Sequence, residues 1–132
     1  MSQISRFILQ AATANLTIEY IEKVSTTKDS TEKETAEKST HLSYEYLRAF
    51  SPAQIASKQI IGNKKLVRLN NIENVGKHGF RLNFNDDHSC IYTAEYFDEL
   101  NENFVENWQK YENLLANNKM TREAKIDILN LS

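Results

Sequence analysis

The chain has 132 residues, 40% of them hydrophobic and 26% charged, with a formal net charge of -2. That length and apolar content fit one domain with a real core, which argues against two independent cores and against global disorder. A single cysteine excludes an intrachain disulfide framework and a four-cysteine zinc site. The near-balanced charge gives no general pull toward nucleic acid or an anionic membrane.

Residues 1–15 are expected to be a lead segment. Their apolar run, Phe7-Ile8-Leu9, is far shorter than a secretory signal requires, and nowhere do 18 apolar residues run together to span a bilayer. With one lone thiol, the expected compartment is the cytoplasm. The domain proper is expected over 16–117, with a helical tail over 118–132.

Leu16, Ile18 and Tyr20 alternate with Thr17 and Glu19, which predicts a strand over 16–24 with one apolar face. Residues 25–40 hold eight Ser/Thr, seven charged residues and Ala36. Little there can be buried, so a mobile loop is expected. A second strand is expected to end near Leu42, followed by a short helix capped by Ser43 and ended with the help of Pro52. Residues 51–64, with Gly62-Asn63, read as an irregular connection.

From Lys65 the pattern returns to strands. Leu66 to Leu69 and Ile72 to Val75 form one extended stretch, and Gly76 to Gly79 supply a turn. Phe80, Leu82 and Phe84 alternate with Arg81 and Asn83 as a half-buried strand. Asn85-Asp86-Asp87 makes a tight turn, and His88 to Tyr92 form the returning strand. Thr93 then repeats the earlier junction: Leu42 to Arg48 aligns with Tyr92 to Asp98 at an offset of 50 residues, each copy carrying a hydroxyl cap followed by Glu, Tyr and a large apolar residue. The expected fold is therefore α+β, with small antiparallel sheets from two hairpin-plus-short-helix units and C-terminal helices. In the last part, Phe104, Trp108, Tyr111 and Leu115 form one apolar helical stripe, read as packing on the sheet rather than as a partner surface or dimer contact. Asn117-Asn118 interrupts it, and Thr121 is expected to cap a final helix.

Three stretches together resemble a known family: Tyr46-Leu47-Arg48-Ala49-Phe50-Ser51-Pro52, Ile72-Glu73-Asn74-Val75-Gly76, and Phe84-Asn85-Asp86-Asp87-His88-Ser89-Cys90-Ile91-Tyr92. They are similar to the N-terminal-like domain of gamma-butyrobetaine hydroxylase, over about Leu16 to Leu115. The resemblance implies an α+β domain that, in the hydroxylase, precedes a separate barrel binding iron and 2-oxoglutarate. This chain is too short to hold that barrel, so the oxygenase chemistry does not come with the domain. The resemblance also implies a structural zinc held by three cysteines and one histidine. The cysteine places fall on Ser51, Ala53 and Ala56, and the histidine place on His88. Three of the four ligands are missing, so no zinc and no cofactor is expected there. His88 is the one family ligand position retained.

Asp86, His88 and Cys90 lie two apart, on one face if the chain stays extended. A thiol, an imidazole and a carboxylate together suggest a nucleophile. Same-face neighbours on a strand sit about 6.5–7 Å apart at Cα, however, where a Cys–His pair needs about 3 Å. No oxyanion donor or glycine-rich elbow is apparent nearby, and no nucleotide-cradle or zinc-protease motif is present. No catalytic residue is expected. Lys58, Lys64, Lys65 and Arg68 form a basic cluster too small for a nucleic-acid face, and Asp98, Glu99, Glu102 and Glu106 suit a helix start.

The expectation is a non-enzymatic interaction module whose contact surface combines the Ser51–Lys65 loop with the His88 hairpin. Ser51, Lys58, Lys64, Lys65 and His88 are the candidate contact residues. Related domains fused to Mrp-type ATPases carrying iron–sulfur clusters suggest such an ATPase or a metal enzyme as partner. The alternative is an accessory protein for metal or iron–sulfur assembly that uses His88 and Cys90.

Overall fold

The computed structural model describes residues 2–24 and 34–124. It contains two three-stranded antiparallel sheets, each followed by a helix. In the first unit, β1 (Ser2–Gln10), β2 (Asn15–Val24) and β3 (Glu34–Ser43) lead into α1 (Tyr44–Ala49). In the second, β4 (Leu69–Asn74), β5 (Phe80–Phe84) and β6 (Ser89–Tyr92) lead into α3 (Ala94–Glu102). A short α2 (Pro52–Ser57) links the units, and α4 (Phe104–Asn117) closes the fold. The α+β expectation holds.

Both strand-to-helix junctions use the same device. Ser43 Oγ accepts the Tyr46 N–H at 3.1 Å, and Thr93 Oγ1 accepts the Tyr96 N–H at 3.1 Å. Each satisfies a donor that the first helical turn would otherwise leave unpaired. The 50-residue offset is also written into the helix contact. Tyr46 Oη donates to the Leu100 carbonyl at 2.6 Å, and Tyr96 Oη donates to the Phe50 carbonyl at 2.5 Å. Tyr46 and Tyr96 are 50 apart in sequence, as are Phe50 and Leu100. The bonds are therefore reciprocal, as in an isologous two-fold contact, but within one chain.

The lead segment is itself a strand, in register with β2 from Ser2↔Glu22 to Gln10↔Asn15. The ladder slips between Ile4 and Arg6, so Ser5 is a bulge. The bulge puts Ile4 and Phe7, three apart, on the same core and hides the period-two signature. Its counterpart β4 slips between Leu69 and Asn71, which likewise brings Leu69 and Ile72 to the core. Leu66 to Arg68 precede this strand and are not part of it.

Part of the expected 25–40 loop is corrected. Residues 34–40 belong to β3, paired with β2 from Val24↔Glu34 to Asn15↔Ser43; residues 25–33 lie outside the described ones. A strand paired along one edge draws on its backbone ladder more than on apolar side chains, and here Thr40 and Leu42 are enough to reach the interior. Residues 52–57 are a second correction. Pro52 does not just follow a finished helix: it opens α2 at its first turn, where its missing N–H costs nothing. The helix expected after Thr121 falls largely outside the described residues; Arg122 and Glu123 are in a bend.

The main core joins both sheets to α1 and α3. Leu16, Ile18, Tyr46, Leu82, Tyr92 and Phe97 are wholly buried in it. Tyr111 and Leu115 of the expected stripe pack on Ala49 in a second cluster. Trp108 is half-buried, and Phe104 is 40% exposed.

Candidate functional site

Two of the places identified by the metal-site resemblance, Ser51 and His88, meet where the α1–α2 junction packs on the β5–β6 turn. Arg48, in the last turn of α1, donates from Nε to Asp86 Oδ2 at 2.8 Å and from Nη1 to Gln54 Oε1 at 3.1 Å. Lys64 Nζ reaches the same Asp86 oxygen at 2.8 Å. Asp86 Oδ1 accepts the His88 N–H at 3.3 Å, which closes the turn, and Asp87 takes the left-handed backbone, φ 65°, that this turn requires.

Ser51 and His88 form the second layer. Ser51 is the N-cap of α2, and its Oγ accepts the Gln54 N–H at 3.1 Å. The same oxygen lies 2.8 Å from His88 Nε2. With the imidazole neutral and Nε2 bare, the hydroxyl donates its one proton to it while accepting the Gln54 N–H. Ala53 N–H meets Cys90 Sγ at 3.4 Å. Gln54, buried, returns its amide to the Gln59 carbonyl at 2.7 Å. His88 and Cys90 thus face the start of α2, at Ser51 and Ala53, whereas Asp86, across the left-handed Asp87 and so not in an extended run with them, meets Arg48 of α1 and Lys64.

The electrostatics follow from this packing. Burial alone would raise the Asp86 carboxyl, but hydrogen bonds from Lys64 and Arg48, with their charges, hold it below the ordinary range. Burial, together with the Arg48 and Lys64 charges, pushes the His88 imidazole below its ordinary value, against the opposing pull of Asp86.

The donor set does not match a four-ligand zinc site. Ala53 and Ala56 offer methyl groups, and the Ser51 hydroxyl is held by Gln54 and His88. Among the described residues, no three His, Cys, Asp or Glu side chains gather as a metal-holding group. The Ser51–His88 distance would suit a nucleophile and base. Ser51, however, has no exposed surface, and its oxygen caps a helix.

The candidate contact residues separate on the surface. Ser51 is closed to a partner and acts from beneath. His88 and Lys64 are half-buried, and Lys58 and Lys65 are exposed. Lys65 Nζ lies 3.1 Å from Glu123, and Arg68 donates to the Ala11 carbonyl at 2.8 Å, so the basic cluster is largely engaged internally. Ile55 and Leu66, not singled out as contact residues in the sequence, stand 51% and 66% exposed. Arg48 and Gln54 were also missed as site residues, although Arg48 lies within one of the family-like stretches. So was Glu45, a buried carboxylate held by Arg122 at 2.8 and 2.9 Å and by Tyr111 at 2.9 Å.

The family model "Gamma-butyrobetaine hydroxylase-like, N-terminal" matches residues 9–98. No curated protein matches the chain. Two protein structures solved by NMR in solution are similar over nearly their whole lengths. One is 26% identical with a TM-score of 0.72, covering 99% of this chain and 98% of that one. The other is 25% identical with a TM-score of 0.68, covering 97% and 90%. Among the described residues, no helix is long and apolar enough to cross a membrane.

Proposed function

The chain belongs to the gamma-butyrobetaine hydroxylase-like N-terminal family, and from that premise we propose that it is a non-enzymatic interaction module. Its family metal site has been replaced by a lock of hydrogen bonds and ion pairs. The observation that carries this reading is the Ser51–His88 contact at 2.8 Å, at two of the places where the resemblance puts zinc ligands. Together with Asp86 bound by Arg48 and Lys64, it supplies the cross-link that a metal would otherwise give. The α2 segment is thereby held against the hairpin, with Ile55 exposed on it and Lys58 at its end, and Leu66 exposed next to Lys65 in the chain. Apolar side chains rimmed by cations on a fixed element suit a protein partner with an acidic rim. By the occurrence of related domains, that partner is a P-loop ATPase of the Mrp type or a metal enzyme in the cytoplasm.

Affinity capture from cells tests the surface with the tagged chain and an Ile55→Glu, Leu66→Glu variant that spares the lock. Loss of specific captured proteins in the variant, with its melting curve unchanged, is the expected result. An unchanged set of proteins would defeat this surface.

The second reading, an accessory for metal or iron–sulfur assembly, is favoured by one observation: His88 and Cys90 both reach the first turn of α2. Elemental analysis separates the two. Stoichiometric zinc or iron that disappears with His88→Ala would establish the metal reading and overturn the lock.

A further inference from the structure

A groove of about 340 Å³ lies between α2 and α4, with Gln54 in its lining. Its floor includes the buried Ala49 and Tyr111, and its walls include Ile55, Ile60 and Leu114. Two of the neutral polar side chains in this lining, Gln54 and Tyr111, are already paired, and Gln59 is exposed at its edge. The Gln54 amide is held by Arg48 and the Gln59 carbonyl, and the Tyr111 hydroxyl donates to Glu45. Among the described residues, no acidic side chain lines the groove. The charged side chains that do are Lys58 and Lys110, and neither forms an ion pair among the described residues.

We infer that this groove binds a small monocarboxylate with an apolar body, such as a short acyl or aryl acid. The apolar tail would lie on Ala49, Ile55, Ile60 and Leu114, and the carboxylate would stay at the mouth between the two ammonium groups. The volume is at the small end of ligand sites, which favours a compact molecule over an extended lipid. The charge assignment follows from the two ammonium groups: Lys58 and Lys110 line the groove without a counter-ion among the described residues, and an anion at the mouth would supply one. The inference goes beyond the protein-partner reading: it shares Ile55 and Lys58 with that surface but needs neither Leu66 nor the hairpin, and Lys110, outside that surface, tests it separately.

The backbone supplies a clean control. Lys58 ends α2 in the left-handed region, φ 58°, where glycine is the easier residue. Lys58→Gly therefore removes the cation while keeping or improving the helix end. The full chain, isotopically labelled, is titrated with octanoate and separately with octanamide, its neutral isostere, and followed by amide NMR. Saturable shifts confined to the groove, with octanoate binding about tenfold tighter than octanamide, are expected; the factor reflects two partly exposed charge contacts. Lys58→Gly and Lys110→Gln should each weaken octanoate several-fold and leave octanamide unchanged. The inference fails if the two probes bind equally, if the shifts scatter over the surface, if neither probe shifts the groove at millimolar concentration, or if both lysine variants bind octanoate like the native chain.

Discussion

Asp86→Ala should destabilise the protein by about 3 kcal/mol, the low end of the range for stripping one partner from a buried ion pair. The Arg48 side chain is 9% exposed and Asp86 18%. Removing the carboxylate leaves the guanidinium with only Gln54, and Lys64 with no counter-ion, inside a closed junction. The loss is one of desolvation without compensation, not of a surface salt bridge. Asp86→Asn should cost less, because its one amide oxygen can still accept from the cations at the Oδ2 place or from the His88 N–H at the Oδ1 place, though not both. The pH dependence carries a second signature. Asp86 and His88 both have folded-state values below their ordinary ones. The unfolded chain therefore binds protons first, and the stability these groups contribute is present above their ordinary values and lost as pH falls. Native protein should weaken below about pH 6.5 through His88 and again below about pH 4 through Asp86. In Asp86→Ala the lower step should vanish, and the His88 titration should move further down, since the charge that opposes its depression is gone. Urea melts from pH 7 to pH 3, with the imidazole followed by NMR, measure both. A variant as stable as the native protein, or a His88 titration that rises, would show that Asp86 does not hold this junction.

Local signals of the fold were legible in the sequence, and those that depend on a distant partner were not. The Ser43 and Thr93 caps could be read because a cap needs only a hydroxyl and the three residues after it. Phe80, Leu82 and Phe84 could be read because their strand is regular. Strands β1 and β4 were blurred by one bulged residue each, Ser5 and Asn70, which shifts the apolar positions from a spacing of two to three. Residues 34–40 were misread because an edge-paired strand reveals itself through its backbone, which composition does not report. At the candidate site, the spacing of 88 and 90 did bring two side chains to the start of α2, the turn at Asp87 turned Asp86 to Arg48 and Lys64 instead, and the resemblance placed Ser51 opposite His88. Nothing local to Arg48 or Gln54 shows that Asp86, 38 residues beyond Arg48, would complete their arrangement. The same holds for Glu45 and Arg122, 77 residues apart. Pro52 misled because it terminates one helix and starts another equally well, and only the Ser51 cap decides between them.

The internal repeat yields the second large effect. Tyr46→Phe should cost about 2 kcal/mol, because two groups lose a partner at once. Tyr46 is wholly buried; its hydroxyl gives its proton to the Leu100 carbonyl and accepts the Asn107 amide at 3.0 Å. Burial also raises the phenol above its ordinary value, with the Asn107 bond opposing, so the group stays a neutral donor at any working pH. Tyr96→Phe removes the symmetry-related bond to Phe50. That tyrosine is only half-buried, so water can reach the freed carbonyl more readily, and about 1 kcal/mol is expected. The double variant is the sharper measurement. Both bonds cross between the same two segments, the end of α1 and helix α3, so once one is gone the contact relaxes and the second is worth less. The combined loss should fall short of the sum by about 0.5 kcal/mol or more. Strict additivity in urea denaturation would mean that the two halves are pinned independently. A larger loss from Tyr96→Phe than from Tyr46→Phe would reverse the assignment of the buried member of the pair. The reciprocal bonds explain why the 50-residue similarity is confined to the junction. Cap, tyrosine and receiving carbonyl are the parts that each half must present to the other, while the strands that feed them are free to differ in length and polarity.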